Sequence, residues 1–348
     1  MPAPVLTERL SAAGAALGEY CGATAANSFG DPSSEYATLR SGCGVYQASW
    51  RALFAISGKD RTRWLNGMVS NNIRDLQPGR GVYAFVLNPQ GHILGDLYAW
   101  NMGEHLIAEI ESFQAEQLVA TLKRYIIMDK VEFTDEQARR NVLALAGPGC
   151  EAVLRGVAID SPALAPLECA DIVWQGHAMT LARLDHPLVP HYELWAAPAL
   201  IAELWLAATS AGAQPVGTRA LELLRIVAGV PRYGQDIRAR DLPQETGQER
   251  ALNYNKGCYI GQEIVERIRA RGRVHRTWTG FRVEGDPPGP GKIMADGKDA
   301  GEITSAAKLP AGTENIALAL GYVRRELAGV PLASDGRRVV PQPLPFNL

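Results

Sequence analysis

The segment GVYAFVLNPQGHILGDLYAWNMGEHLIAEI, residues 81–110, constrains the fold more than any other stretch of the chain. Three apolar-rich runs are separated by NPQG and NMGE, both strong turn sequences, so the segment reads as a three-strand antiparallel meander. RALFAIS, residues 51–57, supplies a strand before it, followed by a turn at Gly58 and a short helix from Asp60 that buries Trp64, Leu65 and Met68. After the meander, Ser112 is placed to cap a helix with Leu118, Leu122 and Tyr125 inward, and KVEFT reads as a closing strand. Strands and helices mix without a regular strand–helix–strand rhythm, which argues for α+β over a doubly wound parallel sheet.

Three regions follow from this patterning: 1–140, 141–272 and 273–348. In the second, NVLALAG and HYELWAA read as strands, and IAELWLAATSAG and TRALELLRIVAG as helices closed by glycine. In the third, short β-like runs (TWTGFRV, AGEITS, IALALGYV) are divided by Gly- and Pro-rich turns such as GDPPGPG, the pattern of a small antiparallel barrel. At the N-terminus, Leu6, Leu10, Ala13 and Leu17 recur at helical spacing.

Composition removes several function classes. Of 348 residues nearly half are apolar, and the net charge is -2, so no overall basic field draws the chain to nucleic acid. No apolar run reaches the about 18 residues that would span a membrane. The first residues lack a basic segment followed by an apolar one, so a cytoplasmic protein is expected. The five cysteines, Cys21, Cys43, Cys150, Cys169 and Cys258, are scattered without a Cys-x-x-Cys pair, and the histidines do not cluster with them. Neither a disulfide framework nor a metal site is expected.

Four positions carry chemistry. Asp96 sits in a strand with Leu94, Tyr98 and Trp100 on its face and Ile93, Leu97 and Ala99 on the other. A carboxylate between two apolar faces either pairs locally or holds and deprotonates a ligand nitrogen. Glu193 shares its face with His191 and Trp195; it is either a solvated strand residue or a two-oxygen acceptor for the N–H edge of a flat heterocycle. Arg225 shares a helix face with Leu221 and Ala228 and needs an anion or a route to water. In NKGCYIGQE, Cys258 precedes a helix with Ile264, Val265 and Ile268 inward, and Lys256 lies two residues away. Both features favour a thiolate, whereas a small apolar packing residue is the commoner fate of a free cysteine. The five arginines between Arg267 and Arg276 make a solvated face or meet an anionic ligand tail, a partner protein or RNA, the last the least favoured by the overall charge.

NKGCYIGQEIVERI resembles the signature of the YgfZ-type folate-binding proteins, and LPQE at Leu242–Glu245 resembles the segment that precedes it there. Almost end to end, the chain is similar to the glycine-cleavage T-protein (aminomethyltransferase) superfamily, through CGVYQASWRALFAISGKDRTRWLNGMVSNNIRDLQPGRGVYAFVLNPQGHILGDL, LLRIVAGVPRYGQDI, GEITSAAKLP and IALALGYVRRE. The resemblance implies an α+β, three-domain T-protein-like ring around tetrahydrofolate, with two mixed α+β domains and a C-terminal antiparallel β-barrel. It implies that Asp96 matches the catalytic aspartate and that Glu193, with Trp195, grips the pterin. It also implies that Arg225 lies near the folate and that Tyr259 adds to the binding set. Cys258, held ionised by Lys256, would be the functional thiol of a protein that supports iron–sulfur cluster assembly or repair in client enzymes. The alternative is a folate-dependent aminomethyl- or methyltransferase with Asp96 as acid/base. Many YgfZ-type proteins lack that aspartate, whereas this sequence has both Asp96 and Cys258.

Overall fold

The computed structural model describes residues 4–160, 162–272, 274–311, 314–327 and 329–348. It is α+β, and the chain divides into two compact units. The first comprises residues 1–66, 72–83 and 97–221; the second comprises residues 67–71, 84–96 and 222–348.

The expected meander forms as strands Arg80–Leu87, Ile93–Asn101 and Leu106–Glu111, adjacent in one sheet. Its turns are closed by Gly91 and Gly103, both at positive φ. The sheet has 11 strands. In spatial order they are Gln214–Pro215, Gly44–Gln47, Asn141–Ala146, His191–Ala196, His177–Arg183, Glu168–Trp174, the three meander strands, Arg51–Ser57 and Glu132–Asp135. Gly44–Gln47 pairs with Asn141–Ala146, so a strand from the first region of the sequence is embedded among strands of the second. The strands Glu168–Trp174 and His177–Arg183 carry weaker apolar alternation and are absent from the sequence reading.

In the first unit, one face of the sheet packs on helices. Leu143, Leu145, Leu181, Tyr192 and Leu194 join Leu6 and Leu10 of helix Pro4–Ala12, and Ile201 and Trp205 of helix Pro198–Ser210, in a single core. The first helix ends earlier than its spacing suggests. Gly14 turns at φ 87°, and Leu17 lies in a strand, Ala16–Tyr20, 39 % exposed. Ser112 is the first residue of its helix and not the cap, a position taken by Glu111. That helix stops at Lys123, which leaves Tyr125 beyond it and exposed.

In the second unit, six strands close an antiparallel barrel: Arg276–Val283, Glu314–Arg324, Lys298–Ala311, Gly291–Ala295, Leu332–Ser334 and Arg337–Gln342. Phe281, Ile293, Ile303, Ala319, Leu332 and Val339 fill it. No helix among the described residues is long and apolar enough to cross a membrane.

Candidate functional site

In the strand His191–Ala196, Tyr192, Leu194 and Ala196 point into the helix-covered core, which leaves His191, Glu193 and Trp195 on the other face. The ladder neighbours of Glu193 are Ala144 and Ala182, so small side chains flank its carboxyl. Glu193 is 2 % exposed, and Trp195 donates its indole N–H to Glu193 Oε2 at 2.9 Å. A second glutamate is arranged in the same way. Glu109, fully buried and opposite Tyr98 in the ladder, accepts the indole N–H of Trp100 at 3.0 Å on Oε2. The two indoles meet edge to face at 5.6 Å.

Arg51 joins the pair. Its Nε lies 2.6 Å from Glu109 Oε1 and 3.7 Å from Glu193 Oε1. The first contact is a close ion pair without hydrogen-bond alignment, since Glu109 Oε1 accepts no hydrogen bond. Burial pushes the Glu193 carboxyl up to about 8; the neighbouring Glu109 adds to the shift, and Arg51 and the Trp195 hydrogen bond oppose it. Burial works against the charge of Arg51, but Glu109 and Glu193 more than offset it and hold the guanidinium protonated. Nearby, the Tyr46 hydroxyl lies 2.6 Å from His191 Nε2, and burial lowers the imidazole to about 3, so His191 is neutral at ordinary pH. Arg51 and Glu109 were not found from sequence. They lie on strands distant from Glu193 in the chain and in sheet order, and the sheet must curl to bring the three together.

The second unit holds the other expected residues. Along Ile93–Asn101, burial alternates as the pattern requires, and Asp96 is half-buried on the more open face. Tyr233, also absent from the sequence reading, donates its hydroxyl to the Leu94 carbonyl at 2.7 Å. Burial, then the charges of Asp96 and Asp241, push the Tyr233 hydroxyl up to about 12.

Arg225 finds its anions within the fold. It donates to Glu222, to fully buried Asp236 at 2.6 Å, to the Val230 carbonyl and to the Ser305 hydroxyl. This network ties helix Thr218–Ala228 to the barrel strand Lys298–Ala311.

Around Cys258 most of the motif works structurally. Lys256 is buried and donates from Nζ to the carbonyls of Val69 and Asn71 at 2.5 and 2.8 Å, with the Tyr259 ring 4.7 Å away. The Ile260 amide bonds Gly67 O, and the Gln262 carboxamide accepts from the Tyr259 amide. Gly261 stands at φ 82°, where a Cβ would meet Asn88 O at 2.6 Å. Helix Gln262–Arg271 starts there, so Cys258 sits four residues ahead of it, in a strap that is neither helix nor strand. Of the five cysteines only Cys258 is exposed. The arginine run is not one face. Arg269 pairs with Glu266 and covers Tyr254, whereas Arg276 turns into Asp241, Glu245 and Glu302. Arg273 lies outside the described residues.

A family model described as the GCVT N-terminal domain matches residues 6–256. An aminomethyltransferase of Rubrobacter xylanophilus is 29% identical across 98% of this chain and 93% of its own length. One from Nostoc sp. is 28% identical across 87% of this chain and 83% of its own. The crystal structure of glycine cleavage system aminomethyltransferase T from Bartonella henselae superimposes with a TM-score of 0.87 at 21% identity, covering 97% of this chain and 95% of that one. This establishes a shared fold.

Proposed function

The chain belongs to the family of the GCVT N-terminal domain, and from that premise we propose that it is a tetrahydrofolate-dependent one-carbon transferase of the aminomethyltransferase kind. The observation that carries this reading is Glu193, a buried carboxyl set beside an indole and flanked by two alanines. A pterin ring calls for an apolar aromatic neighbour and a carboxylate acceptor for its adjacent N–H donors, and Trp195 and Glu193 are side chains of those kinds. The raised Glu193 pKa is compatible: donors arriving from a ligand favour the ionised form, so binding expels the proton. Asp96 would hold or move a proton at a nitrogen of the ligand, while the Tyr233 hydroxyl stays protonated and donates to the Leu94 carbonyl. Arg225 contributes by rigidity, holding its helix in place through the Asp236 network.

The relatives' names favour this reading over one centred on the thiol. The test is tetrahydrofolate binding and turnover of aminomethyl or methyl donors. Glu193→Gln is expected to lose about tenfold or more in affinity. Asp96→Asn should keep binding and lose turnover, and Cys258→Ala should keep both. A protein that binds no folate, or an Asp96→Asn variant with full turnover, overturns the assignment.

One observation favours a second reading. The exposed Cys258 is presented by a strap whose other members are tied down, as a YgfZ-like functional thiol would need. In that reading the protein supports iron–sulfur cluster assembly or repair in client enzymes. A single thiolate cannot hold a cluster, so it would exchange with a partner. Complementation of a strain with failing iron–sulfur enzymes separates the two readings. Rescue by Asp96→Ala but not Cys258→Ala supports the thiol, and the reverse supports transfer.

A further inference from the structure

Two buried carboxyls, those of Glu109 and Glu193, face one guanidinium, that of Arg51. They are built alike. Each gives its Oε2 to an indole N–H, from Trp100 at 3.0 Å and from Trp195 at 2.9 Å, and each turns its Oε1 to Arg51 Nε. The likeness ends at the guanidinium, which stands 2.6 Å from Glu109 and 3.7 Å from Glu193. The other ionisable groups around the three supply no second cation. Half-buried Glu111, on the strand of Glu109, adds to the negative charge felt by Arg51. From Ile93–Asn101, the Tyr98 ring lies 5.5 Å from the guanidinium carbon, and from Gly44–Gln47, Tyr46 meets the neutral His191. With both carboxyls ionised, the three side chains would hold an uncompensated negative charge in a place closed to water, which is costly. One proton removes it. The shorter contact decides where that proton sits: the carboxyl against the cation keeps its charge, and the more distant one is protonated.

We infer that Glu109 is a positioning residue for the acceptor carboxyl: by holding Arg51 to itself, it keeps Glu193 neutral without ligand and reserves the negative charge of Glu193 for a ligand that brings adjacent N–H donors. This role rests on the reading of Glu193 as the pterin acceptor. Two arriving N–H donors stand in for the missing cation. Glu193 then gives up its proton to solvent, and the bonds it accepts become charge-assisted. A ligand edge without adjacent donors leaves the proton in place and gains less. The upward shift of Glu193 agrees with this, with burial its largest cause and Glu109 the next.

Infrared spectra and calorimetric titration of the whole protein in two buffers test this. Without ligand, at about pH 7, wild type should show the C=O stretch of a protonated carboxyl that is absent from Glu193→Gln. The band should also be lost in Glu109→Gln, where Arg51 is released to Glu193 and ionises it. With tetrahydrofolate as the probe, wild type should release about one proton at about pH 7 and bind about tenfold more weakly for each further unit of acidity. Glu109→Gln should release almost none, with affinity flat in pH. Glu109→Asp keeps the buried charge but draws it back from Arg51, so its release should fall part way; it carries the test if Glu109→Gln does not fold. Arg51→Met combined with Glu109→Leu leaves Glu193 protonated by burial and should restore both band and release. A band that survives in Glu193→Gln overturns the inference, as does wild-type band and release in the Glu109 variants. A Glu109-dependent band in a protein that binds no tetrahydrofolate leaves the carboxyl pair standing and removes the pterin reading; tetrahydrofolate binding without the band does the opposite.

Discussion

Glu109 Oε1 stands 2.6 Å from Arg51 Nε with no other partner, so the two charges neutralise each other inside the sheet. Removing Arg51 strands Glu109, and removing Glu109 leaves Arg51 with only the longer contact to Glu193. Glu109→Gln should cost about 3–5 kcal/mol, whereas Arg51→Met combined with Glu109→Leu should recover most of that loss, because well-packed apolar residues replace buried ion pairs at little net cost. Urea unfolding of the three proteins measures it. A double variant no better than the single one would mean that the pair does more than balance charge.

Glu193 gives the fold a specific pH dependence. Its pKa is pushed up to about 8 from the ordinary 4.5 of a glutamate. Below the lower value both folded and unfolded chains carry the proton. Between the two the folded chain keeps a proton that the unfolded chain has lost, so stability falls as pH rises and levels off above about 8. Unfolding midpoints across this range should show the fall in wild type and a flatter profile in Glu193→Gln.

Ligand binding should run the other way in pH. If Glu193 receives pterin N–H donors as a carboxylate, affinity rises with pH until about 8, and binding releases a proton. Titration in two buffers of different ionisation enthalpy reads the released proton directly. Equal heats in both buffers would count against Glu193 as the acceptor.

His191 acts at the acid end. Burial lowers it to about 3 from the ordinary 6.5 of an imidazole. Above 6.5 both states are neutral. As pH falls from there towards 3, the unfolded chain takes up a proton that the folded one refuses, and stability drops. His191→Gln should remove this part of the acid sensitivity, seen as a smaller change in thermal midpoint between pH 7 and pH 4.

Within NKGCYIGQE the structural and exposed members should separate cleanly. Lys256→Met loses two charge-assisted hydrogen bonds to buried carbonyls and should cost about 2–4 kcal/mol. Gly261→Ala forces a Cβ against Asn88 O at positive φ and should cost about 1–3 kcal/mol. Cys258→Ser, at the surface, should stay within about 0.5 kcal/mol. Chemical denaturation ranks the three, and a strongly destabilised Cys258→Ser would mean that the thiol packs.

The meander, the glycine-closed helices and the barrel are all legible in the sequence. Each depends on patterns a few residues long: period-two alternation between turn sequences, or period-four spacing ended by glycine. The first helix was overextended because Leu17 keeps helical phase with Leu6 and Leu10, and only the turn at Gly14 shows that the chain has already left it. The alternation that puts Glu193 and Trp195 on one face, and leaves Asp96 half-buried, was equally local.

What surrounds those residues was not local. Arg51, Glu109 and Glu193 come from three strands, Tyr233 reaches Leu94 across 139 positions, and Lys256 reaches Val69 across 187. Sequence spacing alone offers Lys256 to the neighbouring thiol, and it says nothing of the two carbonyls that hold its ammonium. By itself the sequence determined which elements form and which face each candidate occupies, because backbone geometry sets those from near neighbours. Which charge meets which, and therefore which carboxyl keeps its proton, was decided by sheet closure and burial, since desolvation and pairing exist only once distant strands exclude water together.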